Sequence, residues 1–504
     1  MSSFGFFYFL LIFVGTSFGN SLNENFEDQS KAIGISKFGY FYNGNLAEPF
    51  SENDENLMEV SQQWISQPLD HFNATEEKTW EQRYWNNSNF FEQNSTIFLI
   101  IGGDSTINEK WISNPNVTYL KWAKKMKAQV FLLEHRFYGE SQPAEDLSIE
   151  NLKYLTSKQA LKDIENFIQI KKDEYKNSKW ITLGGSYGGT LSAWFREKYP
   201  ELTVGAVGSS APLHIKTNFF EYLQVVQRSL FYYDPKCGQN IKTVFSDIFS
   251  SFYSSQKTSQ LNTIFKLSNV LTNSKDSFYK DSQVFFSSIL STFKTAIQFD
   301  GINANFNQNG FGIENVCEIM INGTDLKENL KNVFSYMNPN NDIIDSDYLK
   351  DIENLQNVSF DGNIYSDMRA WLWQSCTEFG YFQTTDLGKN IFGSTVSIDF
   401  YIDLCTDVFG FNRTEIDASI FSTKYSYGEL QNFNGTNLAL IYGTQDPWHA
   451  LGYFTMNFNP HGITSFFLNG TSHCADMYPA SSSDSSDLIS VRDQVERLIF
   501  RWIH

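Results

Sequence analysis

Residues 184–189 read Gly-Gly-Ser-Tyr-Gly-Gly and directly follow the apolar run Trp-Ile-Thr-Leu at 180–183. This pattern has the form of a nucleophile elbow, in which glycines two positions before and after a serine make room for a tight strand-to-helix turn. Residues 190–199 continue as a helical pattern that ends before Pro200. The strand and the helix disfavour the alternative, a glycine-rich turn with an incidental serine. The sequence therefore predicts that Ser186 forms acyl-enzymes.

Short apolar segments with β-branched residues alternate with helical patterns around the elbow. Such strands, separated by helices, indicate a parallel sheet covered on both faces. The predicted strands lie at 96–101, 128–133, 180–183, 204–207, 438–442 and 464–468. A capping box at 156–159 predicts the start of one crossover helix. We expect an α/β-hydrolase fold with a mostly parallel, doubly wound sheet, formed by residues 60–213 and 394–504 and interrupted by a helical cap at 214–393.

The late strands supply partners for the serine. A serine hydroxyl needs a histidine to accept its proton and a carboxylate to orient that histidine, and in this fold they follow in the order serine, acid, histidine. Asp446 follows one late strand and His473 follows the next, so both are predicted members of a triad with Ser186. The alternatives are a turn-forming Asp-Pro, a surface histidine and the nearby acid Asp476. Three other histidines after Asp446 lie beside the acid or follow no strand: His449, His461 and His504.

An oxyanion hole is expected beside the elbow. In this fold one donor is the backbone N–H of the residue after the nucleophile, here Tyr187, and the other comes from the loop after an early strand. That loop contains Gly103 and Asp104, so either can supply the second donor.

Composition and targeting signals limit the class of protein. The chain has 504 residues, is 41% hydrophobic and carries a formal net charge of −19, which argues against binding to nucleic acid. Residues 1–19 lack charged side chains and resemble a signal peptide, and the apolar run is too short to favour the alternative of a stable membrane anchor. Glycosylation sequons lie at Asn73, Asn86, Asn94, Asn116, Asn322, Asn357, Asn412, Asn434 and Asn469. The protein is expected in the secretory pathway, in lysosomes or outside the cell.

The five cysteines predict two disulfides and one free thiol, and their spacing leaves the pairing open. They show no metal-ligand spacing, and no HExxH motif is present. We therefore expect no metal and no cofactor.

Several segments, in order, resemble the S28 serine carboxypeptidase family, which includes lysosomal Pro-X carboxypeptidase, dipeptidyl peptidase II and thymus-specific serine protease. The matching segments are 67–73, 79–85, 134–139, the elbow, 376–380 and 446–449. The last two are most similar to the thymus-specific branch. The resemblance implies the triad Ser186, Asp446 and His473, a helical cap, and a tendency to form homodimers. It also implies the disulfides Cys237–Cys317 and Cys376–Cys405, with Cys474 unpaired.

The resemblance further implies an exopeptidase that prefers proline at the cleaved position. Trp448 and Phe379 are predicted to stack on the proline ring, with core packing as the alternative. Thr190 stands where some relatives carry methionine, and Ser105 stands where a glycine is common, which would strain Ser105 if its φ were positive. Glu378 or Asp104 is a candidate for binding a substrate's free amino group. Structural roles are favoured for the polar residues of the matching segments: His71, Glu134, His135, Arg136 and Glu378.

We therefore expect a serine-type peptidase that acts on short peptide substrates as a carboxypeptidase or a dipeptidyl-peptidase. Two alternatives remain open at this stage. One is an esterase or lipase, and the other is an inactive binding protein on the same scaffold.

Overall fold

The structure is a computed structural model that describes residues 46, 49, 56–301, 312–339, 341–360, 364–386, 390–428, 430, 432–455 and 461–504. The predicted signal peptide at 1–19 lies outside the described residues. The strands are β1 (Ser61–Pro68), β2 (Thr79–Asn87), β3 (Ile97–Ile101), β4 (Gln129–Leu133), β5 (Trp180–Gly185), β6 (Gly205–Ser209), β7 (Lys216–Asn218), β8 (Gly380–Phe382), β9 (Leu438–Gly443) and β10 (Ile463–Leu468).

The described helices alternate with these strands and then form a long insertion. They are α1 (Lys110–Ser113), α2 (Thr118–Met126), α3 (Ile149–Leu152), α4 (Ser157–Lys172), α5 (Ser186–Lys198), α6 (Glu221–Tyr233), α7 (Pro235–Ser251), α8 (Ser255–Phe265), α9 (Phe278–Gln298), α10 (Ile313–Asn322), α11 (Leu326–Met337), α12 (Tyr348–Gln356), α13 (Ile364–Gln374), α14 (Ile398–Phe409), α15 (Arg413–Tyr427) and α16 (Ser486–Ile503).

Eight strands form one sheet in the order β1-β2-β4-β3-β5-β6-β9-β10. The pairs β1–β2 and β2–β4 are antiparallel, and every later pair in this sheet is parallel. Strands β3, β4, β5, β6 and β9 are buried along their whole length, as expected for a sheet covered on both faces. The arrangement is an α/β-hydrolase fold, as predicted.

The first two strands were not predicted. Only two of the eight β1 residues are buried, because β1 lies at the edge of the sheet. Its sequence SQQWISQP is therefore mostly polar and lacks the apolar run that marks the central strands.

Helix α4 begins as predicted, with the Thr156 side chain accepting a hydrogen bond from the Gln159 N–H.

Two helices stand between the cap boundary expected at residue 393 and the next strand of the sheet. They are α14 and α15, and the sheet resumes at Leu438, where the sequence predicts a strand. Helix α15 closes back on the elbow helix, since the rings of Tyr427 and Trp194 stack with centroids 3.7 Å apart.

The two disulfides pair as the resemblance implies. Cys237–Cys317 joins α7 to α10, and Cys376–Cys405 joins the π-helical turn at Ser375–Phe379 to α14. Cys474 is free and buried. Both bonds therefore hold the helical insertion together, and the free thiol lies at the sheet.

Candidate active site

The turn between β5 and α5 has the geometry of a nucleophile elbow. Ser186 has a φ of 54°, a left-handed conformation that costs an L-residue about 1–2 kcal/mol. A Cβ on Gly184 would lie 2.3 Å from the Gly188 carbonyl oxygen, and a Cβ on Gly188 would lie 2.4 Å from the Ile101 carbonyl oxygen. Glycine is therefore required at both positions, and the turn holds Ser186 at the carboxyl end of β5.

Asp446 and His473 form a buried pair at the same edge of the sheet. Asp446 follows β9 and His473 follows β10. The Nδ1 atom of His473 lies 2.9 Å from Oδ1 of Asp446, and neither side chain is exposed. The same carboxylate oxygen accepts a 3.0 Å hydrogen bond from the Trp448 backbone N–H. Burial lowers the pKa of His473, but Asp446 and Cys474 together outweigh burial, and the net pKa is raised. This arrangement stabilises an imidazolium.

The elbow and the histidine loop are neighbours. A Cβ on Gly185, directly before Ser186, would lie 3.1 Å from Sγ of Cys474, directly after His473. The Cys474 backbone N–H donates a 2.8 Å hydrogen bond to Oγ of Ser210. The fold thus brings the predicted nucleophile and the predicted base to adjacent loops.

The competing residues have other partners. The carboxylate of Asp476 accepts a hydrogen bond from the Ser209 hydroxyl, and burial raises its pKa to about 6. Nε2 of His449 lies 3.2 Å from the Arg228 guanidinium, and burial lowers the pKa of His449. Asp446 is therefore the carboxylate that orients His473.

The loop after β3 packs against the start of the elbow helix. A Cβ on Gly103 would lie 3.1 Å from the backbone nitrogen of Gly188 and 3.7 Å from Cβ of Tyr187. Ser105 is not among the described residues with positive φ, so the strain considered for it does not arise. Asp104 is buried, and burial raises its pKa to about 6. The predicted oxyanion donors Tyr187 and Gly103 or Asp104 are thus adjacent.

A cavity of about 260 Å³ opens beside this loop. The residues that line it include Asp104, Ser105, Thr106, Trp111 and Met477. Gly185 also contributes to its wall, so the cavity lies directly next to the elbow.

Buried aromatic rings form a continuous wall that begins at the elbow, which we call the aromatic wall. Ring centroids are 5.2 Å apart for Tyr187 and Phe379, 5.6 Å for Phe379 and Tyr381, and 5.6 Å for Tyr381 and Trp448. The hydroxyls of Thr190 and Tyr381 both donate 3.0 Å hydrogen bonds to the Pro212 carbonyl. Three predicted pocket residues are therefore close together. Tyr381 was not predicted, although it lies two residues after Phe379 in the sequence.

Glu378 is held by protein groups. Its carboxylate accepts hydrogen bonds from the Ser157 N–H at 2.9 Å, the Ser157 hydroxyl at 2.7 Å and the Gln374 amide at 3.1 Å. Burial raises its pKa, and these hydrogen bonds oppose the change. The carboxylate therefore caps the start of α4, which suits the structural role that the sequence favours.

The other polar residues of the matching segments form buried ion pairs. Arg136 binds Asp163 through two hydrogen bonds of 2.6 and 2.7 Å, and His71 approaches the same carboxylate at 2.8 Å. Arg83 binds Glu134 at 2.6 Å. Burial lowers the pKa of His135 to about 4, so this histidine is neutral at ordinary pH. These contacts join β2, β4 and α4 into a rigid support for the elbow.

Comparison with known proteins assigns the chain to a family. Residues 67–495 match the family model described as Serine carboxypeptidase S28. F56F10.1 of Caenorhabditis elegans, which carries the description of a serine protease, is 38% identical over 457 residues, covering 87% of this chain and 84% of that protein. The thymus-specific serine protease of Mus musculus is 29% identical over 466 residues, covering 88% and 87%.

A shorter match joins the chain to the lysosomal Pro-X carboxypeptidase of Bos taurus, at 35% identity over 195 residues, 37% of this chain and 39% of that one. Within the described part of the chain, no helix is long and apolar enough to cross a membrane. The family model spans most of the sequence and includes the elbow, Asp446 and His473. The chain therefore belongs to the serine carboxypeptidase S28 family and is a serine-type peptidase.

Proposed function

We propose that the protein is a serine exopeptidase that hydrolyses short peptides next to proline through an acyl-enzyme on Ser186. The observation that carries this proposal is the buried hydrogen bond between His473 and Asp446, next to a serine held in a strained elbow. Strained backbone and buried, oriented polar groups are characteristic of catalytic sites.

The reaction follows from these positions. His473 accepts the Ser186 hydroxyl proton as the oxygen attacks the scissile carbonyl carbon, and Asp446 stabilises the imidazolium. The Tyr187 N–H and a donor from Gly103 or Asp104 bind the oxyanion. The imidazolium then protonates the leaving amine as the C–N bond breaks. Water attacks the resulting ester with His473 as base, and the peptide acid leaves with the serine restored.

The aromatic wall supports a preference for proline. A pyrrolidine ring is compact and apolar, and flat aromatic side chains such as Trp448 and Phe379 give it a matching surface. Thr190, next to these rings, is smaller and more polar than the methionine that some relatives carry at this position. The names of related proteins, Pro-X carboxypeptidase among them, agree with this preference.

The cap supports action at a chain end. The carbonyl oxygen of Gln298, the last residue of α9, accepts a 2.9 Å hydrogen bond from the His473 backbone N–H. The ring of Phe299 meets the His473 ring edge to face at 6.3 Å. The end of α9 thus packs directly against the histidine loop, and a cap in this position favours short substrates over long polypeptides.

We also propose that the protein enters the secretory pathway and acts in lysosomes or outside the cell. The leader and the sequons motivate this location. Eight of the nine sequon asparagines are exposed, and Asn86 is partly buried. Their side chains therefore lie where glycosylation would meet few steric obstacles.

Substitution of the nucleophile tests the proposal. Ser186→Ala should reduce hydrolysis of Pro-linked short peptides by at least about 10⁴-fold and abolish labelling by a fluorophosphonate probe, because the attacking oxygen is lost. The matched control Ser259→Ala removes an exposed hydroxyl on α8 and should leave both unchanged. Acyl esters measured in parallel distinguish an esterase. Peptide hydrolysis that survives in Ser186→Ala would contradict the assignment, and an unlabelled wild type would indicate a binding protein.

A further inference from the structure

Helix α9 carries a polar stripe although it is buried. Helices surrounded by protein are normally apolar on all sides. In α9 five polar side chains recur at intervals of three or four residues, which places them on one face of the helix. These buried residues are Gln283, Ser287, Ser291, Lys294 and Gln298. Gln283 and Gln298 on this face are paired with protein groups, Gln283 with Ser397 and Gln298 with Trp448 and Tyr222.

Among these five residues, Lys294 is the one whose burial costs the folded state most, because its side chain carries a charge. It is 1% exposed, and within the described part of the chain it has neither a hydrogen bond nor a carboxylate within ion-pair distance. Its ammonium lies 5.8 Å from the centroid of the Tyr222 ring. Burial lowers its pKa from 10.5 to about 7, with no charged neighbour opposing the change. A buried cation without a partner is rare unless a ligand supplies the missing charge.

Lys280 on the same helix provides a contrast. Its ammonium lies 3.2 Å from a carboxylate oxygen of Asp403 and 2.8 Å from one of Asp407. These neighbours raise the pKa of Lys280 against the effect of burial. The cap therefore supplies carboxylate partners to Lys280, whereas none of the described carboxylates pairs with Lys294.

Lys294 lies next to the predicted site. Gln298 follows it by one helical turn, about 6 Å along the axis. The Gln298 side-chain oxygen accepts hydrogen bonds from Nε1 of Trp448 at 3.1 Å and from the Tyr222 hydroxyl at 2.6 Å. The Gln298 backbone oxygen holds the His473 loop. Lys294 and Gln298 thus share the neighbour Tyr222, whose ring lies 5.8 Å from the ammonium and whose hydroxyl binds the Gln298 side chain.

The position of α9 relative to His473 indicates which end of a substrate would lie near Lys294. The histidine that protonates a leaving amine must lie near it, so substrate residues after the scissile bond lie on the His473 side. Helix α9 stands on this side. When a single residue is removed from the C-terminus, its free carboxylate lies only a few bonds beyond the leaving nitrogen. An unpaired ammonium is the chemical complement of that carboxylate.

We propose that Lys294 binds the free C-terminal carboxylate of the substrate and thereby makes this peptidase a carboxypeptidase. The proposal rests on the proposed function and assigns its direction of cleavage. A charge-assisted hydrogen bond in a buried site gives a preference on the order of 10- to 100-fold for a carboxylate over an amide. The opposite mode, removal of dipeptides from the N-terminus, would instead require a free substrate amine.

The test compares two matched peptides, N-acylated Pro-Phe and its C-terminal amide, on the full-length protein. The wild type should hydrolyse the acid with a kcat/KM on the order of 10- to 100-fold above that of the amide. In Lys294→Met this ratio should fall to about 1, mainly through KM, because the side chain keeps its length but loses its charge. Lys294→Arg should retain part of the preference. Lys280→Met is the matched control and should keep the wild-type ratio.

A second test measures product inhibition of the wild-type protein, so it does not depend on whether a variant folds. Phenylalanine should inhibit at least about 10-fold more strongly than phenylalaninamide, because only the former carries a carboxylate. Equal inhibition, an unchanged ratio in Lys294→Met, or cleavage that requires a free N-terminus would overturn the proposal. Fluorophosphonate labelling of Ser186 is read separately, and its absence in the wild type would refute the proposed function instead.

Discussion

Replacing Lys294 by methionine should stabilise the protein in acid. The folded protein lowers the pKa of this lysine from 10.5 to about 7 because it is buried without a partner. Each pKa unit corresponds to about 1.4 kcal/mol, so a protonated Lys294 costs the folded state about 5 kcal/mol. Methionine removes this cost, but it also loses the cation–π contact with the Tyr222 ring, which is worth about 1 kcal/mol. We expect Lys294→Met to raise the free energy of unfolding by about 4 kcal/mol at pH 5.

The gain should shrink as the pH rises. Below pH 7 both states bind the proton, and the full cost of burial is present. Between pH 7 and 10.5 the folded state loses its proton while the unfolded state keeps it, so the cost falls steadily. At pH 9 about 2 kcal/mol should remain. The facing titratable group, Tyr222, has a pKa raised well above 10 by burial and stays neutral throughout.

Urea unfolding followed by tryptophan fluorescence at pH 5 and pH 9 measures these values. Lys280→Met, which breaks a partly exposed ion pair, should be neutral or slightly destabilising at both pH values. Lys294→Met that is less stable than the wild type at pH 5 would refute the reasoning. A gain of equal size at both pH values would also refute it, because a desolvated ammonium must show the pH dependence.

Two further predictions concern the pair that orients the base and the support beneath the elbow. Asp446→Asn should lower kcat/KM on the order of 10⁴-fold with little change in stability, because His473 loses the charge that stabilises its imidazolium; a loss below tenfold in peptide kinetics would argue for another acid. Arg136→Met should lower the free energy of unfolding by about 3–5 kcal/mol, because Asp163 is left buried without its bidentate partner. Its melting curve should shift clearly to lower temperature, and a curve that overlays the wild type would show that the pair contributes nothing.

Much of the fold and the candidate triad could be predicted because local patterns determine them. The glycines around Ser186 are required by contacts of 2.3–2.4 Å, so the constraint is visible in the sequence itself. Asp446 and His473 each follow an apolar strand, and the order of residues in the fold identifies them. Family membership, predicted from short segments, is confirmed by the match over residues 67–495.

Other features depend on contacts between distant segments and leave no local signal. Strand β1 is polar because it lies at a sheet edge, so its pairing with β2 becomes clear only from the structure. Glu378 is a candidate for substrate binding by residue type, yet its hydrogen bonds to Ser157 join positions 221 residues apart. Lys294 lies in a helical region of ordinary composition, and the sequence does not reveal that no carboxylate of the described residues lies within ion-pair distance of its ammonium.

Four of the nine described non-glycine residues with positive φ lie around the candidate site. Positive φ angles occur at Ser186, Ser210, Tyr381 and Cys474, which hold the elbow, the histidine loop and the aromatic wall. Such conformations persist only where the surrounding packing enforces them. Lys294 adds a desolvation cost from the cap side. We therefore expect substitution of Lys294 on α9 to change the preference for a free C-terminal carboxylate while the geometry of the triad on the sheet stays the same.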